Sequence, residues 1–302
     1  MNKKLDKGAI MSNKIIVVTD VNSSMTFAEA EEIGVRLINM PFIIDGVEYF
    51  EGKDFSYEEF FKFLDEKRDV STSQPSPSTI LDTWDELLEE YDYILHIPMS
   101  SALSGAVQTA KGLAQDYDGR VVVVDNKRIS VTQRATVYKA LDLIEQGLSA
   151  QEICDELEKT WDDNSIYIAV DTLDLLKKGG RVTPAAASIA TALNLKPVLQ
   201  IQGDKLDSFA NVRGMKKAKR TMLEIMKKER ETIYVGDKYE IHTAYSGDLE
   251  VAKEWVTQVR EYFGDESIGL SRLPISISCH VGAGALGIAI CEKASKPVKP
   301  LF

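Results

Sequence analysis

The feature that most constrains this chain is a repeated pair: a short, unbroken apolar run followed by a helical stretch. Lys14-Ile-Ile-Val-Val-Thr-Asp20, Tyr93-Ile-Leu-His-Ile97 and Val121-Val-Val-Val-Asp125 have no polar face. A strand of that kind must be buried on both sides, as in a parallel sheet covered by helices. The segments that follow read as helices: Thr26 to Val35, with Thr26 as N-cap and Glu29 at the capping-box position, then Ser104 to Asp116 and Val131 to Gln146. Strands alternating with helices of this length predict right-handed crossovers and an N-terminal α/β domain over residues 14–162.

The texture changes after the polar break Trp161-Asp-Asp-Asn-Ser165, which follows a further capped helix opened by Ser149 and Glu152. Strands are expected at Ile166 to Val170, at Lys196 to Ile201 and Leu206 to Ala210 around a Gly203-Asp204 hairpin turn, and at Glu240 to Tyr245. Further strands are expected at Ile268 to Leu273, Ile275 to Cys279 and Ala285 to Cys291. Helices are expected at Pro184 to Ala192, Met215 to Glu229 and Leu249 to Tyr262. Residues 163–302 thus read as a second α/β domain with a mostly antiparallel sheet. Residues 1–13 read as a flexible extension, within which Met11 is an alternative start.

With 302 residues the chain can bury a full core without disulfides or a structural metal. Its net charge of −11 argues against non-specific nucleic-acid binding and against adhesion to an anionic membrane. No apolar run approaches the roughly 20 residues of a spanning helix. Three cysteines without C-x-x-C spacing fit a reducing cytoplasm, and the scattered histidines offer no metal-ligand pattern.

Open α/β sheets place ligands at the carboxyl ends of their strands. There Ser104 brings a hydroxyl to a helix N-terminus, which suits an anion or simply a cap. The loop Ser71-Thr-Ser-Gln-Pro-Ser-Pro77 carries four hydroxyls between prolines, and it too reads either as a ligand loop or as a cap for the helix that follows. His280 stands before a glycine-rich turn that permits close approach of a ligand. His96 and His242, inside apolar runs, read as structural. Lys177-Lys-Gly-Gly-Arg181 is a weak phosphate-loop pattern without the G-x-x-x-x-G-K-[ST] spacing. Arg213 opens a basic amphipathic helix, mostly a solvated face and otherwise a docking surface for an acidic partner. Ser104 lacks the G-x-S-x-G elbow of a serine hydrolase. Hydroxyls and one histidine converging on a small anion describe a binder better than a catalyst; a lipid or ester hydrolase using Ser104 with His280, and a ligand-free scaffold docking through the basic helix, are the other readings.

Taken in order, Thr19-Asp20, Thr72-Ser-Gln-Pro75, Leu103-Ser-Gly105 with Gln108, Val124-Asp125, Leu176-Lys-Lys-Gly-Gly-Arg181, Lys196-Pro-Val-Leu199, Arg213 with Lys216-Lys217, and His280 with Gly282 and Gly284 resemble the DegV family over about Lys14 to Glu292. The resemblance implies a two-domain α/β protein that is not itself an enzyme. It would hold a long-chain fatty acid in a buried tunnel, with no other cofactor and no metal. Its implied partner is an ATP-dependent fatty acid kinase subunit, which converts the bound carboxyl to an acyl phosphate for phospholipid synthesis. By the same resemblance Thr72, Ser104 and His280 contact the carboxyl, and Arg181 and Arg213 present it to the kinase. No nucleic acid, stable membrane insertion or location outside the cytoplasm is expected.

Overall fold

The computed structural model describes residues 14–189, 195–203 and 205–294. The extension expected at 1–13 and Asp204 of the hairpin turn lie outside the described residues; the helix expected over Pro184 to Ala192 closes already at Ala187, with Ser188 as its C-cap.

The three apolar runs form the parallel sheet they predict. Ile15–Asp20 lies between Val35–Ile38 and Tyr93–Ile97, and Val121–Val123 completes the order on the far side of Tyr93–Ile97. Helices Pro77–Leu87 and Ala106–Leu113 cover one face around Trp84, Ile94 and Val18. Helix Ser130–Glu145 covers the other.

The second sheet has six strands in the order Asp207–Arg213, Leu195–Ile201, Asn164–Ala169, Leu286–Glu292, Tyr239–Tyr245 and Gly269–Arg272. All pairings are antiparallel except the last, which is parallel. Strand periodicity assigns its faces. Tyr167 and Ala169 pack with Trp255 and Met222 under helices Met215–Thr232 and Leu249–Phe263, while Ile166 and Ile168 point to the other side. On that side Ser130–Glu145 returns, and one apolar cluster runs from Val17 and Leu95 through Val137 to Ile168 and Ala289. This helix is buried nearly all round, as an element between two sheets must be. Its polar groups bond both ways: Gln133 donates to Ile97 O (3.2 Å) and Arg134 to Ser271 Oγ (2.5 Å).

A third, small antiparallel sheet was not expected from the sequence. It joins Val47–Phe50, Pro41–Ile44 and Val70–Thr72, and with helix Tyr57–Asp65 it packs Phe42 and Phe60 against Ile275 and Cys279. Ser71 and Thr72 therefore belong to a strand rather than a loop. Asp45-Gly46, both at positive φ, is the turn signal that marks this hairpin, and Ser56 with Glu59 forms the capping box that marks its helix.

Three other expectations change. Ile275–Val281 is a helix, not a strand. Its Ile-Ser-Ile-Ser alternation mimics a two-residue period, but the segment is enclosed on all sides, so Ser276 and Ser278 are buried beside the isoleucines. Their hydroxyls are satisfied by Asn22 Oδ1 (2.6 Å) and Ser246 Oγ (3.0 Å), which removes the cost of burying them. The first crossover helix stops at Glu32, and Val35 begins a strand. Arg213 ends a strand, and the basic helix begins at Met215 after Gly214.

Candidate functional site

A cavity lies between the helix Ser130–Glu145, the inner face of the six-stranded sheet and the helix Ile275–Val281. Counting the open space at its mouth, it spans about 920 Å³. Most of its wall is aliphatic: Ile166, Ile168, Leu176, Ile201, Leu206 and Ile277 are examples. One cluster of polar groups stands at one end.

At that end Thr72 closes its strand opposite the last turn of Ile275–Val281, and Thr72 Oγ1 lies 2.9 Å from His280 Nε2. The far side of the imidazole rests on the backbone of Gly179, where a Cβ would stand 2.3 Å from His280 Nδ1. Glycine is therefore required there for the ring to reach Thr72. The next residue, Gly180 at φ 69°, ends the helix Asp174–Gly179 in the left-handed conformation and turns Arg181 back toward the same spot. Arg181 Nε donates to Leu103 O (3.2 Å), and Arg181 Nη1 donates to Gly179 O. Two of its five N–H groups are thus committed to backbone carbonyls.

Ser104 lines the same end. Gly105, not Ser104, is the N-cap of the helix that follows; Ser104 Oγ accepts from Ala106 N (3.2 Å), and accepting leaves its O–H proton free to donate into the cavity. The helix Ala106–Leu113 that follows points its N-terminus, the positive end of its dipole, at this region. Gln74 braces the loop by donating to Thr109 Oγ1 (2.8 Å).

Burial and the nearby Arg181 guanidinium push the His280 pKa down to about 4. The ring is therefore neutral near pH 7. In the tautomer that carries its proton on Nε2, the ring donates to Thr72 Oγ1 and the Thr72 hydroxyl keeps its own proton for a ligand. The end of the cavity thus offers an anion two hydroxyl donors, with positive charge nearby on Arg181.

Four of the five residues singled out in the sequence, Thr72, Ser104, Arg181 and His280, stand on this wall. Arg213 does not: it is exposed at a strand end, opposite Leu195. The charges on the helix after it form a solvated face, with Arg220 and Lys227 paired to Glu224 and Glu231. His242, read as structural from the sequence, is indeed buried, but it too lines the cavity. The signal that could have found it is its register: it shares a strand face with Ala244, another wall residue. Ser104 and His280 do not form a nucleophile–base pair by any hydrogen bond; the partner of His280 is Thr72. Among the described residues no group of three or more histidines, cysteines or carboxylates is arranged to hold a metal, and no helix is long and apolar enough to cross a membrane.

Comparison with known proteins agrees with this architecture. A family model described as "Uncharacterised protein, DegV family" matches residues 14–293. A DegV domain-containing protein of Deinococcus radiodurans is 30% identical over 280 residues, covering 91% of this chain and 98% of its own length. A DegV family protein from Thermus thermophilus, whose structure is described as showing fatty acid binding, superposes with a TM-score of 0.82 at 32% identity, covering 93% of this chain and all of that one. DegV of Bacillus subtilis, described as a fatty acid binding protein, superposes with a TM-score of 0.82 at 26% identity over 93% of this chain and all of its own. The chain belongs to the DegV family.

Proposed function

We propose that this protein binds a long-chain fatty acid in the cavity, carboxyl group at the Thr72–Ser104–His280 end, and presents that group to an ATP-dependent fatty acid kinase subunit in the cytoplasm. The observation that carries the reading is the pairing of an aliphatic cavity with a cluster of hydroxyl donors and a neutral imidazole at one end. Each half of a fatty acid needs its own half of such a site. Burying about 15 methylenes at about 0.8 kcal/mol each provides roughly 12 kcal/mol of gross stabilisation before ordering costs. A carboxylate left unpaired in the same place would cancel much of it, so donors at the head are a requirement. The fatty acid binding described for the relatives from Thermus thermophilus and Bacillus subtilis supports the same reading.

On this reading the chain does no chemistry. It shields an apolar chain from water and leaves the head accessible, with Arg181 beside the carboxyl and Arg213 on the surface where a partner docks. Lipid analysis of the freshly purified protein tests the binding: one long-chain fatty acid per chain is expected, and an empty protein that also refuses added oleate and palmitate overturns it. The presentation role is tested separately with Arg213→Glu, which should keep its lipid but lower turnover by the kinase; unchanged turnover removes Arg213 from that role.

A further inference from the structure

The wall of the cavity changes character with depth along the six-stranded sheet. Nearest the helix that carries Gly179, one row of paired residues across the inner face is Ala244, Gly287, Ile168 and Leu199. The next row on the same face, two residues or about 7 Å deeper, is His242, Ala289, Ile166 and Ile201. The row after that holds Glu240, Cys291 and Asn164, with no aliphatic residue among them. An apolar slot built only for a hydrocarbon tail would end on leucine or phenylalanine. This one meets an imidazole, and behind it a carboxylate, a thiol and an amide.

His242 is buried, 6% exposed, and lines the cavity. Its Nε2 lies 3.1 Å from Glu240 Oε1, yet neither atom has a partner in hydrogen-bonding geometry. Such atoms are costly unless something completes them. Burial alone would push the imidazole toward neutrality, but the neighbouring Cys291 and Glu240 more than offset it and hold the pKa up at about 9. An imidazole whose Nε2 has no completed hydrogen bond thus stands in the wall of an otherwise aliphatic chamber.

We infer that His242 is a second recognition point in the cavity, selecting acyl chains that carry an oxygen at or near the tail end, such as a terminal hydroxyl, over chains that end in a methyl group. The inference rests on the fatty-acid reading above and goes beyond it by naming the class of acyl chain. A hydroxyl arriving at His242 accepts from the ring, a bond that a methyl group cannot make.

The test is competition binding of laurate, palmitate and stearate, each against its ω-hydroxy counterpart, on delipidated full-length protein. At the chain length that reaches His242, the wild type should hold the hydroxy acid as tightly as the plain acid or more tightly. His242→Leu should weaken the hydroxy acid by about tenfold or more while leaving the plain acid within about threefold, because the hydroxyl is then buried without a partner. His242→Gln, which keeps a donor of similar size, should restore most of the difference and guards against a leucine variant that does not fold. The inference is overturned if the wild type rejects every hydroxy acid by more than about tenfold, or if His242→Leu leaves the ratio unmoved. Plain acids that bind while hydroxy acids do not would sink this inference alone; a wild type that binds neither would sink the fatty-acid reading as well.

Discussion

Two buried polar clusters sit close in sequence order to the same strand ends, and they are built in opposite ways. At the carboxyl end of the parallel sheet, Asp20 Oδ2 accepts from Met99 N (2.8 Å), while its Oδ1 accepts from Asn22 N (3.0 Å) and Gln133 Nε2 (3.4 Å). Every bond closes within the chain, tying the first strand to the third and both to the central helix. At the cavity end, Thr72, Ser104 and Arg181 each keep donors that the chain does not use. A buried polar group whose bonds close on the protein holds the fold together; one with donors left over and a cavity in front of it is placed for a ligand. The contrast matters because the Thr19-Asp20 pair lies at the kind of strand end where ligands of α/β proteins bind.

The largest effect should therefore come from the closed cluster, and on stability rather than binding. Asp20→Ala strands two buried backbone N–H groups and should cost about 3 kcal/mol in urea unfolding of lipid-free protein. The fraction that remains folded should bind palmitate as the wild type does. A variant of normal stability that has lost its ligand would reverse the comparison and move Asp20 into the site.

The open cluster should behave the other way round. Thr72→Ala and Ser104→Ala should each lose about 1–3 kcal/mol of fatty-acid affinity, since the carboxyl loses a donor in a dry place. Unfolding midpoints should barely move. If both variants bind as tightly as the wild type, the head group is elsewhere. Gly179→Ala sharpens the point with a residue that touches no ligand. Its methyl group would displace the His280 ring from Thr72, reducing affinity by about tenfold, while the better helix propensity of alanine offsets part of any strain. Unchanged affinity would mean that the Thr72–His280 contact does not matter for binding.

Much of this was legible in the chain, for identifiable reasons. Strands buried on both faces must be unbroken apolar runs, so the parallel sheet announces itself; capping residues mark the starts of several helices. The helix Ile275–Val281 was not legible, because a fully enclosed helix loses its 3.6-residue period and its serines counterfeit a strand. The small aromatic sheet has only the Asp45-Gly46 turn to mark its hairpin. Within the site, hydroxyls at strand ends and a histidine before glycines can be found by position. Their convergence cannot, because Thr72 and His280 are 208 residues apart and meet only where the helix Ile275–Val281 packs against the strand Val70–Thr72, a tertiary contact no local pattern reports. His242 reads as structural in the sequence because burial and cavity-facing look identical there.

The smallest expected effect is in the pH dependence of stability, where the two clusters oppose each other. Burial pushes the Asp20 carboxyl up from 3.8 to about 6. Between those values the folded protein holds a proton that the unfolded chain has released, so this group stabilises the fold as pH falls through the window. His280 is shifted from 6.5 down to about 4. Between those values the unfolded chain holds the extra proton, so this group destabilises the fold as pH falls. The windows overlap from about pH 4 to 6 and the signs are opposite, which leaves a shallow net dependence from the pair. His280→Gln removes one of the two. Relative to the wild type, lipid-free variant should gain stability as pH is lowered from about 6.5 to 4, measured by urea unfolding at each pH. A difference that is flat with pH would mean that the His280 ring is as well solvated as in the unfolded chain, and that the neutral imidazole assigned to the head of the cavity is wrong.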